Sequence, residues 1–326
     1  MNKLTQFITE LGRVPIIPLV GFPGTQLTGK SIKNVLTDSK AQIDALLAIY
    51  ETVQPDALFT MMDLTVEAQY LGCELKFPEF DSPTVKRPVL YGKEDINTIF
   101  ANRTTGGRMD IFADVVLNLK KTLKVPICAY VIGPYTLAGE IMDINKVMRA
   151  TKKDPGFLHE VLENVSRIIM NYVSLLEASG VDLICILEPS AMMISSDLFN
   201  EFSGQYCKKI ISEGISVISV LHICGNTNHI VIEMEKTGAD GLSLDKQVKL
   251  PEIYGSLQAG TVLIGNIDPV SIVTFGDAES VRGKSQDLVS AMRSNRNFIL
   301  STGCDIPANA PIENIQAIMS VKNETI

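Results

Sequence analysis

Residues 216–224 read SVISVLHIC, an apolar, largely β-branched run that ends on a histidine and a cysteine. Unbroken apolar runs of this kind are buried on both faces, as parallel strands are. Seven more runs of the same character recur along the chain: residues 15–22 (PIIPLVGF), 57–63 (ALFTMMD), 126–134 (PICAYVIGP), 182–189 (DLICILEP), 241–246 (GLSLDK), 261–268 (TVLIGNID) and 298–305 (FILSTGCD). The stretches between them carry helix signals. Asp154-Pro155 pairs a capping side chain with a proline suited to the first turn. Val161, Leu162, Val165, Ile168, Ile169, Tyr172, Val173 and Leu176 then recur at spacings of three and four, before Gly180 ends the pattern. Eight strands alternating with helices predict an α/β fold, a (β/α)8 TIM barrel over residues 1–326 as one domain. A doubly wound open sheet is the alternative. The connection over residues 64–125 is too long for one crossover, so an insertion after strand 2, a loop or hairpin over residues 73–90, is expected near the barrel mouth.

In such barrels the C-terminal strand ends form the active site, and here those ends are polar: Asp63, Tyr135, Glu188, His222, Cys224, Asp245, Asn266, Cys304 and Asp305. His222 and Cys224 stand two apart on one strand and therefore point the same way. Cys304 ends another strand after Gly303. Three nitrogen and sulfur donors suit Zn2+ and leave a fourth position open, as in catalytic sites. Zn2+ with two thiolates and a neutral imidazole sums to zero charge, a setting in which a substrate thiol would ionise near neutrality while remaining electron-rich. The alternative is a buried histidine with two inert core thiols. Cys73, Cys128, Cys185 and Cys207 read as core thiols, His159 as solvated and His229 as a surface residue. Asp63 and Asp268 could simply cap the helices that follow them, whereas Glu188, ending an apolar strand, needs a partner.

The formal charge of −8, with no basic run, argues against nucleic acid. No apolar run is long enough to span a membrane, and the N-terminus has no signal-peptide core, which predicts a cytoplasmic, reducing location. Residues 24–31 (GTQLTGKS) match the phosphate-binding pattern G-x-x-x-x-G-K-S/T. The bulk of Thr25, Gln26 and Leu27, and the lack of a clearly marked second metal-holding strand, favour a flexible first βα loop with a chance match.

The segments LHICGN (221–226), GCDIPANAPIENIQA (303–317), VEAQYLGCEL (66–75) and EPSAMMISSDLF (188–199) carry a resemblance to the uroporphyrinogen decarboxylase superfamily. Within it the chain is most similar to the zinc-dependent methylcobalamin:coenzyme M methyltransferases, and the order of elements agrees over nearly the whole length. The resemblance implies that His222, Cys224 and Cys304 ligate zinc and that a methyl group passes from methylcobalamin, a corrinoid, to a small thiol. It also implies an acidic residue near the metal at Asp245. Asp245 and Glu188 are the candidate catalytic residues; Asp63, Tyr135, Asn226 and Asn266 are the candidate cofactor-binding residues. Two departures matter. The decarboxylases carry an arginine-rich segment where this chain reads GFPGTQLTGKS, so a porphyrin polycarboxylate would find no clamp. No D-x-H-x-x-G is present, so the corrinoid is expected on a partner corrinoid protein. Decarboxylation of a smaller acid, methylation of a corrinoid from another substrate, and non-catalytic binding of a corrinoid protein remain the alternatives.

Overall fold

A computed structural model describes residues 3–78 and 81–323. Its main sheet is parallel and runs in sequence order: β1 (Leu58–Phe59), β4 (Ile127–Ile132), β5 (Leu183–Leu187), β6 (Ile218–Ile223), β7 (Gly241–Leu244), β8 (Val262–Ile267) and β9 (Phe298–Thr302). A separate antiparallel pair, β2 (Glu74–Lys76) and β3 (Thr84–Arg87), lies between β1 and β4 in the chain. It lies within residues 73–90, the stretch read from sequence as a loop or hairpin. Phe77, next to it, sits under the guanidinium of Arg108, which in turn pairs with Asp63 at the C-terminal end of the β1 run.

The first expected strand is reduced to a single bridge, Ile16 with Leu300. Pro15 and Pro18 explain the loss, since neither can donate to a ladder. The segment still closes the sheet on itself. Ile17 N donates to Leu300 O, Leu300 N to Pro15 O, and Asp56 N to Ile16 O, so this stretch lies between the first and last strands. The result is a TIM-barrel-like α/β fold with seven regular strands and one irregular stave.

Inward residues follow the register. Tyr130 pairs with Cys185, Cys185 with Val220, Leu187 with His222, and His222 with Ser243. The lower barrel is filled by Ile17, Phe59, Cys128, Leu183, Val220 and Ile299, with Phe59 and Tyr130 stacked at 4.7 Å. The larger apolar core packs the helices against the outer faces of the strands. The long helix Pro155–Ala178 forms as its sequence indicates: the Asp154 side chain accepts from Phe157 N, and ten of its residues are buried.

The phosphate-loop match does not form a loop. Gly24–Thr28 is a helical turn, and a Cβ on Gly24 would stand 2.3 Å from Ala45 O, so this glycine serves close helix packing. Ser31 caps the next helix in a capping box with Asn34.

Candidate metal centre

The strand β6 presents His222 inward, and the chain leaves that strand at Cys224. Nδ1 of His222 lies 2.9 Å from Ser243 Oγ on the neighbouring strand, which turns Nε2 toward the cysteines. Cys224 Sγ is 3.4 Å from His222 Nε2 and 3.7 Å from Cys304 Sγ. The three donor atoms all lie within 4.8 Å of one another, close enough to share one ion. The contact between the two thiols acts on them in opposite directions. Hydrogen bonding from Cys304 holds Cys224 below the usual thiol range against the opposing effect of burial, while the same contact and burial push Cys304 up. Thiolates are the form in which cysteines bind a soft cation, so a metal here would displace the thiol protons.

Asp245 follows β7 and braces this group rather than joining it. Its Oδ2 accepts from Gly225 N at 2.7 Å and its Oδ1 from Lys246 N at 2.6 Å. A Cβ on Gly303 would fall 2.6 Å from Lys246 N and 3.0 Å from Asp245 Oδ1, so only glycine allows the β9 end to pass this close. Asn266 secures the same loop, donating to Asp245 O at 2.9 Å and to Val248 O at 2.6 Å. Asn226 is exposed just beyond Cys224, and its Oδ1 accepts from Asn228. Asp305, next to Cys304, has its carboxyl pushed well above the usual carboxylate range by burial and by Cys304.

Other expected site residues do not reach this centre. Glu188 is fully buried and caps the helix Pro134–Met142: it accepts from Tyr135 N at 2.9 Å, Thr136 N at 2.6 Å, the Thr136 hydroxyl and Ser203 Oγ at 3.2 Å. Burial pushes its carboxyl up to about 7 against those donors. The partner that an acidic strand end requires is thus a helix N-terminus, which is where the structure places this expected catalytic residue. Tyr135 is fully buried, with its hydroxyl raised to about 12 by burial and Glu188. Asp63 is locked to Arg108 and accepts from Thr65 N at 2.7 Å, with its side chain fully buried. His159, expected in solvent, stacks on Phe202 at 4.8 Å and bonds Tyr206 Oη at 2.7 Å. Arg108, Glu67 and Ser243 are absent from the expected set. Ser243 alone was reachable, through the inward register of GLSLDK beside His222.

Residues 9–325 match the family model described as uroporphyrinogen decarboxylase (URO-D). The chain belongs to the uroporphyrinogen decarboxylase family. Within that family it is 27% identical over 294 residues, 88% of this chain and 78% of the other, to a methylated-thiol–coenzyme M methyltransferase of Methanosarcina mazei. It is 28% identical over 274 residues, 81% and 78% of the two chains, to the methylcobamide:CoM methyltransferase MtbA of Methanosarcina acetivorans. A uroporphyrinogen decarboxylase of Prochlorococcus marinus is 24% identical over 279 residues, 82% and 79% of the chains. The fold superposes on a solved methyltransferase from Methanosarcina mazei with a TM-score of 0.87 at 22% identity, covering 98% of this chain and 97% of that one.

Proposed function

We propose that this family member is a zinc-dependent methyltransferase that moves a methyl group from a corrinoid, carried on a partner protein, to a small thiol of the coenzyme M kind. The observation that supports it most is the grouping of one imidazole and two thiols at the C-terminal end of the barrel, with the imidazole oriented from behind by Ser243. That donor set fits zinc: one borderline nitrogen, two soft sulfurs, and three protein ligands rather than four. His222, Cys224 and Cys304 would hold the ion, and zinc there would supply the positive charge that favours the thiolate form of the acceptor. In the reaction the carbon–cobalt bond breaks with both electrons left on cobalt. The sulfur–methyl bond forms, and the thiol proton goes to solvent.

The chain's own residues then have defined tasks. Ser243 fixes the His222 ring, Asp245 fixes the Gly225 amide beside Cys224, and Asn266 fixes the Asp245 loop. The names of the two Methanosarcina relatives agree with this chemistry. A decarboxylase reading would rely on Asp63 or Glu188, both of which are buried and engaged. We place the enzyme in the cytoplasm as a single catalytic domain; among the described residues no helix is long and apolar enough to cross a membrane.

The test mixes zinc-replete protein with methylcobalamin and a panel of thiols and follows loss of the methyl–cobalt absorption. Turnover with at least one thiol is expected, and none with any thiol would refute the proposal. Cys304→Ala should remove about one zinc per chain and all turnover while its circular dichroism stays that of the parent. Zinc retained in that variant would remove the ligand assignment. A metal whose sulfur coordination number does not rise on adding thiol would favour a non-catalytic binding module, and transfer only from a non-thiol substrate to the corrinoid would favour the reverse half-reaction.

A further inference from the structure

The helix Ile144–Lys153, INKVMRATKK, carries Lys146, Arg149, Lys152 and Lys153 and no acidic residue, in a chain whose formal charge is −8. Basic residues in a last turn complement the helix dipole, which accounts for Lys152 and Lys153 but not for Lys146 and Arg149. Among the described residues, none of Arg149, Lys152 and Lys153 has a carboxylate partner within ion-pair distance. They line a groove of about 470 Å³ together with Met148, Met193 and Leu198, and no acidic residue lines it. Met148 and Met193 are 38% and 45% exposed. Met193 also lines a second hollow of about 330 Å³ beside Val85 and Pro88 of the hairpin segment, a mixed surface that includes Glu140 and Asp143 and so bounds the carboxylate-free groove on that side.

The position of this surface is informative. Residues 189–195 leave the C-terminal end of β5, the same end of the barrel as the metal centre. Met192 packs on the turn after Cys224: its Cγ and Cε lie 3.2 Å from where a Cβ on Gly225 would be. His229 Nε2 is 3.0 Å from Ile194 O, and Ser196 Oγ donates to His229 O at 2.6 Å. The groove is therefore tied directly to the backbone that carries one of the three donor residues. Flexible, exposed methionines adapt to a partner's apolar surface, and a groove lined by Arg149, Lys152 and Lys153, with the nearby Asp143, Asp154 and Asp197 outside its lining, favours an acidic one.

We propose that the groove between the helix Ile144–Lys153 and residues 193–198 is the docking surface for an acidic face of the protein that carries the corrinoid. The proposal rests on the methyl-transfer reading above. Free methylcobalamin presents no protein face, so a defect in docking and a defect in chemistry separate experimentally. Charge-reversed Arg149→Glu/Lys152→Glu, both positions exposed, is compared with the parent using free methylcobalamin and methylated corrinoid proteins as donors, from 20 mM to about 500 mM salt. With a protein donor, kcat/KM is expected to fall about tenfold or more in the variant, and to fall steeply with salt in the parent. With free methylcobalamin, both proteins should agree within about twofold and show little salt dependence. Equal kcat/KM for parent and variant with the protein donor would overturn the docking surface. So would a parent that demethylates free methylcobalamin but no corrinoid protein, or a groove whose cations prove to bind nucleic acid in a mobility-shift assay. Failure of free methylcobalamin with every thiol would count against the reaction itself.

Discussion

Ser243 sets the geometry of the centre from behind His222. A histidine with Nδ1 bonded has one nitrogen left to offer, and here that nitrogen faces two thiols. Losing such an outer contact typically weakens metal affinity by about 10–100-fold. Ser243→Ala is therefore expected to lower zinc affinity by that order in a chelator competition, with His222 still present; unchanged affinity would show that the ring is oriented by other means. Glu67 is the opposite kind of residue, with no part in the centre. Its Oε1 accepts from Ile132 N at 2.9 Å, and its Oε2 is buried without a partner. Burial pushes the carboxyl up to about 8. The folded state therefore holds this proton more tightly than the unfolded chain, whose carboxyl titrates near 4.5. Stability from this group is greatest at low pH and declines as pH rises toward about 8. Glu67→Gln keeps the acceptor and removes the ionisation, so urea midpoints at pH 5 and pH 8.5 should differ less than in the parent. An equal difference would mean that Glu67 is not the group responsible. Sequence pointed to the three donors because their residue types are rare together and share strand ends. Ser243 and Glu67 are ordinary residue types, whose meaning depends on which neighbour the register brings opposite them.

Among the elements, the parallel strands were legible because their apolar runs are continuous, and the helix after Asp154 because its cap, proline and spacing agree. The first stave departs from its sequence: its apolar pattern is that of a strand, but two prolines leave it one bridge. The helix Pro134–Met142 shows how an element and a strand end are fitted to each other. Its first amides converge on Glu188, and Gly133 lies against that carboxylate; a Cβ there would be 2.5 Å from Glu188 Cδ and 2.6 Å from Oε2. The carboxylate cannot withdraw without abandoning the helix N-terminus. Gly133→Ala is expected to destabilise the fold by about 1–3 kcal/mol, the usual result of overpacking a rigid site. Gly156→Ala is the control, since that Cβ would meet nothing within 4 Å in the first turn of Pro155–Ala178, and a gain of about 0.5–1 kcal/mol is expected. Chemical denaturation of both variants decides the matter. A Gly133→Ala protein as stable as its parent would show that Glu188 can shift freely, contrary to the capping role given to it here.

For the whole molecule the question is how a barrel with one weak stave stays closed. The answer lies at the end of the barrel opposite the metal centre, where Asp56 precedes the β1 run. Its carboxylate takes two bonds of 2.7 Å from Arg13, one of 2.8 Å from Ile16 N, and an ion pair of 2.8 Å from Lys322. One side chain thus ties the chain's beginning, its irregular first stave and its last turn to the second strand, a clasp between residues more than 260 positions apart that local sequence pattern could not reveal. Burial alone would raise the Asp56 carboxyl, but Arg13, Lys322 and Ile16 N outweigh it and hold it below its ordinary value of 3.8. A carboxyl whose folded value is depressed contributes stability that is present above its unfolded value and is lost as pH falls through the folded one. Asp56→Asn removes the charge while keeping the shape. Buried pairs broken on one side cost about 3–5 kcal/mol, but Arg13 and Lys322 are partly solvated, so a loss of about 1–3 kcal/mol at neutral pH is expected. The variant should also lose part of the parent's further decline in stability below pH 4, so the two curves converge in acid. If Asp56→Asn melts with its parent at pH 7, the closing force must come from the packing and backbone hydrogen bonds between residues 15–17 and β9. If it is weaker by the same amount at every pH, what has been lost is shape at this junction and not the charge that holds the two ends of the chain to the barrel.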